Sequence, residues 1–141
     1  MGSRGPYVDE VAEMLDALRR VSDESLAMLA RHYDVTEETE RNAAWTELED
    51  GARRANRSAA LDELRQAAMD LVGLRASTVY GWEANTPFVR PRPSAEDQVR
   101  IVNSIIEAGG AILLQDQLRP ATVEVLTGPV RAILEDVPGP A

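Results

Sequence analysis

The sequence predicts an all-α protein, a bundle of five or six amphipathic helices. Three observations predict it. Apolar residues recur at spacings of three and four along most of the chain. Residues able to cap helix N-termini stand ahead of several of these stripes. Only six of the 141 residues are aromatic, so the core has to be built from Leu, Val, Ile and Ala, which suit closely packed helices.

The elements follow in order. Val8, Val11, Leu15 and Leu18 define a first helix over residues 8–20. Ser22 offers an N-cap for a second, with Asp23 and Glu24 in its positive first turn and Leu26, Leu29 and Tyr33 as its stripe. Asp34 or Thr36 caps a third, and Asp34 with Glu37 has the spacing of a capping box. This third helix and a fourth are both long, expected over residues 36–56 and 58–84, with Ser58 able to cap the later one; one continuous helix is the alternative. Trp45, Leu48, Ala52, Ala55 and Ala59 form a heptad-like seam of mostly small residues.

Residues 85–93 break the pattern, because Pro87, Pro91 and Pro93 each lack a backbone donor and fix φ. Ser94 with Asp97 then caps a helix whose stripe is Val99, Val102, Ile105 or Ile106, Gly109, and Ile112 or Leu113. Two adjacent glycines inside a helix cost about 1 kcal/mol each, so Gly109-Gly110 marks a kink or a close helix contact. Pro120 suits a first turn, and Val123, Leu126, Val130, Ile133 and Leu134 give a last helix, with a break expected at Gly128-Pro129. Thr122 to Thr127 also alternates as a strand would. One domain is expected over residues 8–137, between a flexible N-terminus (1–7) and a flexible tail (138–141).

Composition excludes several functions. There is no cysteine, hence no disulfide and no thiolate metal site, and a reducing, cytoplasmic setting fits. The longest unbroken apolar run is Ala111 to Leu114, far short of a membrane span, and no signal peptide is expected. Net charge is −9, spread unevenly. Residues 1–50 hold five arginines against thirteen acids, 51–92 seven against four, and 93–141 three against seven. The acidic whole disfavours nonspecific adhesion to nucleic acid, while the basic middle leaves a local contact open.

No site chemistry stands out. His32 is the only histidine, which rules out a His–His metal pair, and it is expected on a helix surface or at a helix end. No Gly-x-Ser-x-Gly elbow, Gly-x-Gly-x-x-Gly or phosphate-binding loop is present. The acids gather in helix first turns and on polar faces. No catalytic, cofactor-binding or metal-binding residue is therefore expected, and the protein is read as not an enzyme.

The run from Gly73 to Glu83, through Ser77-Thr78-Val79 and Trp82-Glu83, resembles the turn and recognition helix of Cro/C1-type helix-turn-helix repressors. Pro93-Ser94, Val99 and Ile101 resemble that family's next helix. The resemblance implies DNA binding, with Arg75, Ser77, Arg90 and Arg92 as contacts. The positions that would face the bases, Ala76, Ser77 and Gly81, carry no long polar side chain for a bidentate contact.

The leading expectation is a non-enzymatic helical protein that acts by association with a protein partner or by self-assembly, a dimer above all. Trp45, Leu48, Ala52 and Ala55 form the candidate association seam. DNA binding is the alternative. A bundle holding an apolar small ligand, lined by Trp45, Tyr80, Trp82 and Phe88, is the third reading.

Overall fold

The structure, a computed structural model, describes residues 7–35, 38–83 and 94–135; for Val35 and residues 74–83 it describes the backbone alone. Among these residues the chain forms six helices and no strand: α1 (Val8–Leu18), α2 (Asp23–Val35), α3 (Glu38–Arg54), α4 (Ser58–Glu83), α5 (Ala95–Leu113) and α6 (Pro120–Leu134). The all-α expectation holds, strand-like alternation at Thr122 to Thr127 included, since those residues lie in α6.

α5 is the axis of the bundle, and α1, α2, α3, α4 and α6 all pack on it. The reason lies in its sequence. Every residue from Ser104 to Ala111 is buried, so this helix is apolar or small nearly all round, as a central helix must be. The other five present one stripe each. In α1 the buried stripe is Val11, Met14 and Leu18, with Leu15 only half-buried. In α2 it is Leu26, Leu29, Ala30 and Tyr33. In α4 it is Leu61, Leu64, Ala68, Leu71 and Val72.

Gly109 and Gly110 make the close approach possible, and the helix continues through them to Leu113. A Cβ on Gly109 would stand 2.8 Å from one Leu64 methyl and 2.9 Å from the other. A Cβ on Gly110 would lie 3.2 Å from Leu48 and 3.3 Å from Leu61. The pair therefore marks a close contact and not a kink. α3 and α4 lie against α5 at the distance that two missing Cβ atoms allow.

The caps follow the sequence in part. Ser22 Oγ accepts from Ser25 N–H at 3.1 Å, and Ser94 Oγ accepts from Asp97 N–H at 3.0 Å. Asn56 is left-handed, with φ 56°. Its N–H donates to Arg53 C=O, and Arg57 N–H donates to Ala52 C=O, which together close α3 in a Schellman motif. Ser58 is thus the first helical residue of α4 and not its cap. Of the expected Asp34–Glu37 capping box, Glu37 lies outside the described residues, as does Thr36, and Asp34 is no cap: it lies within α2, 3.3 Å from the Arg100 guanidinium. Pro129 lies inside α6, which runs unbroken from Pro120 to Leu134, so the break expected at Gly128-Pro129 does not form. Gly128 eases this, because a residue without Cβ avoids the clash that disfavours helix before proline.

Arg57 joins two distant turns. Its guanidinium, with 14% of the side chain exposed, makes two bonds to the Asp116 carboxylate, at 2.8 and 3.0 Å, and a third to Leu113 C=O at 2.9 Å. That carbonyl ends α5, where a cation is favoured by the helix dipole. We expect Arg57→Ala to cost about 1–2 kcal/mol in chemical denaturation near neutral pH. The hydrogen bond from Arg57 holds the Asp116 carboxyl below its usual range. The contribution of the pair is therefore present above the unfolded carboxyl value and lost as pH falls through the depressed one. The gap between wild type and variant should narrow in strong acid to what the Leu113 bond contributes; a constant gap would show that the charge pair is not what the variant removes.

Candidate functional site

The least ordinary group in the core is a carboxyl. Glu107 is 7% exposed, on the face of α5 that meets α2. One turn earlier Ser104 fixes that contact, its hydroxyl donating to Leu29 C=O of α2 at 3.3 Å. Tyr33, the last stripe residue of α2, brings its phenol beside Glu107, where it favours the charged form of the carboxyl. From α3, Trp45 Nε1–H donates to Tyr33 Oη at 3.2 Å. The phenol oxygen thus accepts from the indole, which leaves its own proton free to face the carboxyl.

Arg41, one turn before Trp45, closes the group from outside. Its guanidinium carbon lies 4.5 Å from the Tyr33 ring centroid, and it donates to Tyr33 C=O, one of the carbonyls left open at the end of α2. Arg65 of α4 stacks on the other aromatic ring, 5.5 Å from the Trp45 ring. Three helices thus converge on one phenol.

The electrostatics are lopsided. Burial raises the Glu107 carboxyl to about 7, and the Tyr33 phenol and the charge of Arg41 only partly offset it. Burial also raises the Tyr33 phenol. Glu107 Oε1 is buried without a hydrogen-bond partner. A buried polar atom left unpaired costs about 1–3 kcal/mol, and a buried unpaired charge costs more. Chemically the cluster can hold and release a proton near neutrality. It contains no nucleophile set beside a base. Among the described residues no group of three or more His, Asp or Glu side chains could hold a metal ion.

Glu107 was not among the residues that the sequence singled out. A signal was present, however. It is the only charged residue between Arg100 and Asp116, in a stretch otherwise apolar, small or amide-bearing. A lone carboxyl there has no polar face to share, which points to burial.

The residues that were singled out are placed differently. Leu48 (0% exposed) and Ala52 (1%) lie in the core of their own chain, and Trp45 and Ala55 pack against it. Ala59 belongs to α4 and is exposed. The seam packs within its own chain, because the glycines of α5 let that helix approach it. His32 is exposed in the last turn of α2, as expected.

The backbone of α4 is helical from Ser58 to Glu83, through Gly73. The turn that the helix-turn-helix resemblance places at Gly73 is not formed. Arg75 and Ser77 lie in that continuous helix, with side chains outside the description, and Arg90 and Arg92 lie outside the described residues altogether. So do the side chains of Tyr80 and Trp82, and Phe88. Of the aromatic residues named for a ligand pocket, only Trp45 is described, and it is engaged by Tyr33 and Arg65. No helix of the described residues is long and apolar enough to cross a membrane. No family model, curated protein or solved structure matches the chain.

Proposed function

We propose that the protein acts by self-association, as a cytoplasmic, non-enzymatic helical dimer joined through the outer face and C-terminal end of α4. The observation that carries this reading is the mismatch between α4 and the helix it packs on. α4 has 26 residues and α5 has 19. At 1.5 Å per residue these are about 39 and about 28 Å long.

The Gly109–Leu64 contact sets their register. A parallel arrangement would require the segment from Glu83 to Ala95 to run back over about 50 Å, more than its residues can span, so the two helices are antiparallel. Counting back from Gly109 then puts Ser94, the N-cap of α5, opposite Val79. The end of α4 that carries Tyr80 and Trp82 in the sequence lies past the start of α5.

Among the described residues, the outer face nearby carries exposed positions. Met69 is 55% exposed, and among the described residues a Cβ placed on Gly73, one turn later, meets nothing within 4 Å. A second α4 can approach closely along Met69 and Gly73, because a glycine lets helix backbones come together. The DNA-binding alternative would need α4 to bend at Gly73, and nothing in its backbone favours that.

The test is sedimentation or light scattering over a concentration series, with Gly73→Arg beside the wild type. The expected wild-type result is a species of twice 15.4 kDa. Gly73→Arg has open space for its side chain, so it should keep wild-type helicity and run as a monomer. A wild type that stays monomeric at high concentration ends the proposal, and so does a Gly73→Arg dimer of unchanged affinity.

A further inference from the structure

We propose that Glu107, Tyr33, Trp45 and Arg41 form a proton-operated latch that holds the N-terminal half of α3 on the bundle and releases it when Glu107 loses its proton. α3 is held unevenly. Its buried residues are Leu48, Gly51 and Ala52, all in its C-terminal half. In its first ten residues, 38–47, every side chain is exposed or half-buried. From that half, Tyr33 of α2 receives the indole of Trp45 on its phenol oxygen and the guanidinium of Arg41 on its ring and carbonyl. Beneath the phenol sits Glu107, with one carboxyl oxygen bonded to nothing.

While Glu107 is protonated the site is neutral apart from Arg41, and the phenol is free to serve Trp45 and the carboxyl together. Ionisation leaves a carboxylate in the core with one donor, Tyr33. A buried charge so poorly compensated draws in water or the nearest cation. The nearest cation is Arg41, and moving it toward Glu107 takes it off the Tyr33 ring and carbonyl. Either response opens the contact between α2 and the first turns of α3, while Leu48 and Ala52 keep the rest of α3 in place.

Few other groups bear on this titration. From α2 there are Tyr33 and, next to it in sequence, the exposed His32. From α3 there is Arg41. Arg65 of α4 is farther out, on Trp45. On α5 itself Arg100 lies two turns earlier and is paired with Asp34 and Asp97, at 3.3 and 3.0 Å. Among the described residues, α1 and α6 contribute no charge that shifts the Glu107 carboxyl.

The experiment is hydrogen exchange on the full chain at about pH 5.5 and about pH 8.5, corrected for the intrinsic pH dependence of exchange. Amides of residues 38–47 should lose protection by roughly tenfold or more at the higher pH, while those of 104–111 hold theirs. In Glu107→Gln the two pH values should give the same protection. His32→Asn is the control, because histidine titrates in the same range, and it should behave as wild type. Equal wild-type protection at both pH values overturns the latch, as does a pH effect that survives Glu107→Gln or vanishes in His32→Asn. Should Glu107→Gln fail to fold, the carboxyl-carbon resonance of Glu107 in the wild type decides. A midpoint near neutrality that moves together with the loss of protection is expected, and a midpoint in the ordinary carboxylate range overturns the proposal.

Discussion

Leu64→Ala is expected to destabilise the protein by about 2–5 kcal/mol, and Gly109→Ala in the same chain to recover part of that loss. Leu64 is 3% exposed, and its two methyls lie where a Cβ on Gly109 would be. Removing them leaves a cavity against α5 that close-packed neighbours fill only in part. Gly109→Ala alone has two opposed effects. It gains about 1 kcal/mol of helix propensity, and it forces Leu64 and Met14 out of a tight contact at about 1–3 kcal/mol. With distances below 3.0 Å the clash wins, and the single variant should be less stable than wild type. In the double variant the new methyl enters the space that Leu64 has vacated. The coupling energy should then be about 1–2 kcal/mol in favour of the pair. Urea denaturation of the four proteins measures it, and simple additivity would mean that α4 and α5 do not touch there. Gly110→Ala, at 3.2–3.3 Å from its neighbours, should lie closer to neutral.

This contact also shows how far the sequence reaches. The stripes, the caps at Ser22 and Ser94 and the proline-rich break are local features, governed by residues within one or two turns, and they are legible. Gly109-Gly110 is legible as a pair needing an explanation, but whether it bends the helix or admits a neighbour depends on Leu64 and Leu48, far away in the chain. The Trp45-Leu48-Ala52-Ala55 seam illustrates the same limit. A stripe of small apolar residues states that something packs on it. It does not state whether the partner is the same chain, and here the partner is α5. Pro129 misleads for a related reason: proline removes one helical bond, yet packing by Leu126, Val130 and Ile133 on both sides keeps α6 continuous. The buried cluster was the least legible part. Tyr33, Trp45 and Glu107 come from three helices, and nothing in their spacing announces that they meet.

Between about pH 5 and pH 8 the wild type should lose about 3 kcal/mol of stability that Glu107→Gln does not lose. The sign follows from the direction of the shift. Folding raises this carboxyl from 4.5 to about 7. Below the unfolded value Glu107 is protonated in both states, and its full contribution is present. As pH rises between the two values the unfolded chain releases its proton while the folded chain keeps it, so each pH unit costs about 1.4 kcal/mol. Above the folded value both states are ionised, and no further change comes from this residue. Glutamine keeps an oxygen to accept from Tyr33 and carries no charge at any pH. It adds an amide that also lacks a partner, at about 1–3 kcal/mol, so it should be the less stable protein in acid and draw level or lead in mild alkali. Asp116 acts in the opposite sense and at lower pH, since its depressed carboxyl withdraws stability only in strong acid. The wild-type optimum should consequently lie on the acid side of neutrality, between these two titrations. Denaturant midpoints measured for both proteins across this range read the difference directly. Parallel curves would show that Glu107 is either ionised throughout or open to solvent, and would remove the buried carboxyl from any account of how this protein responds to its surroundings.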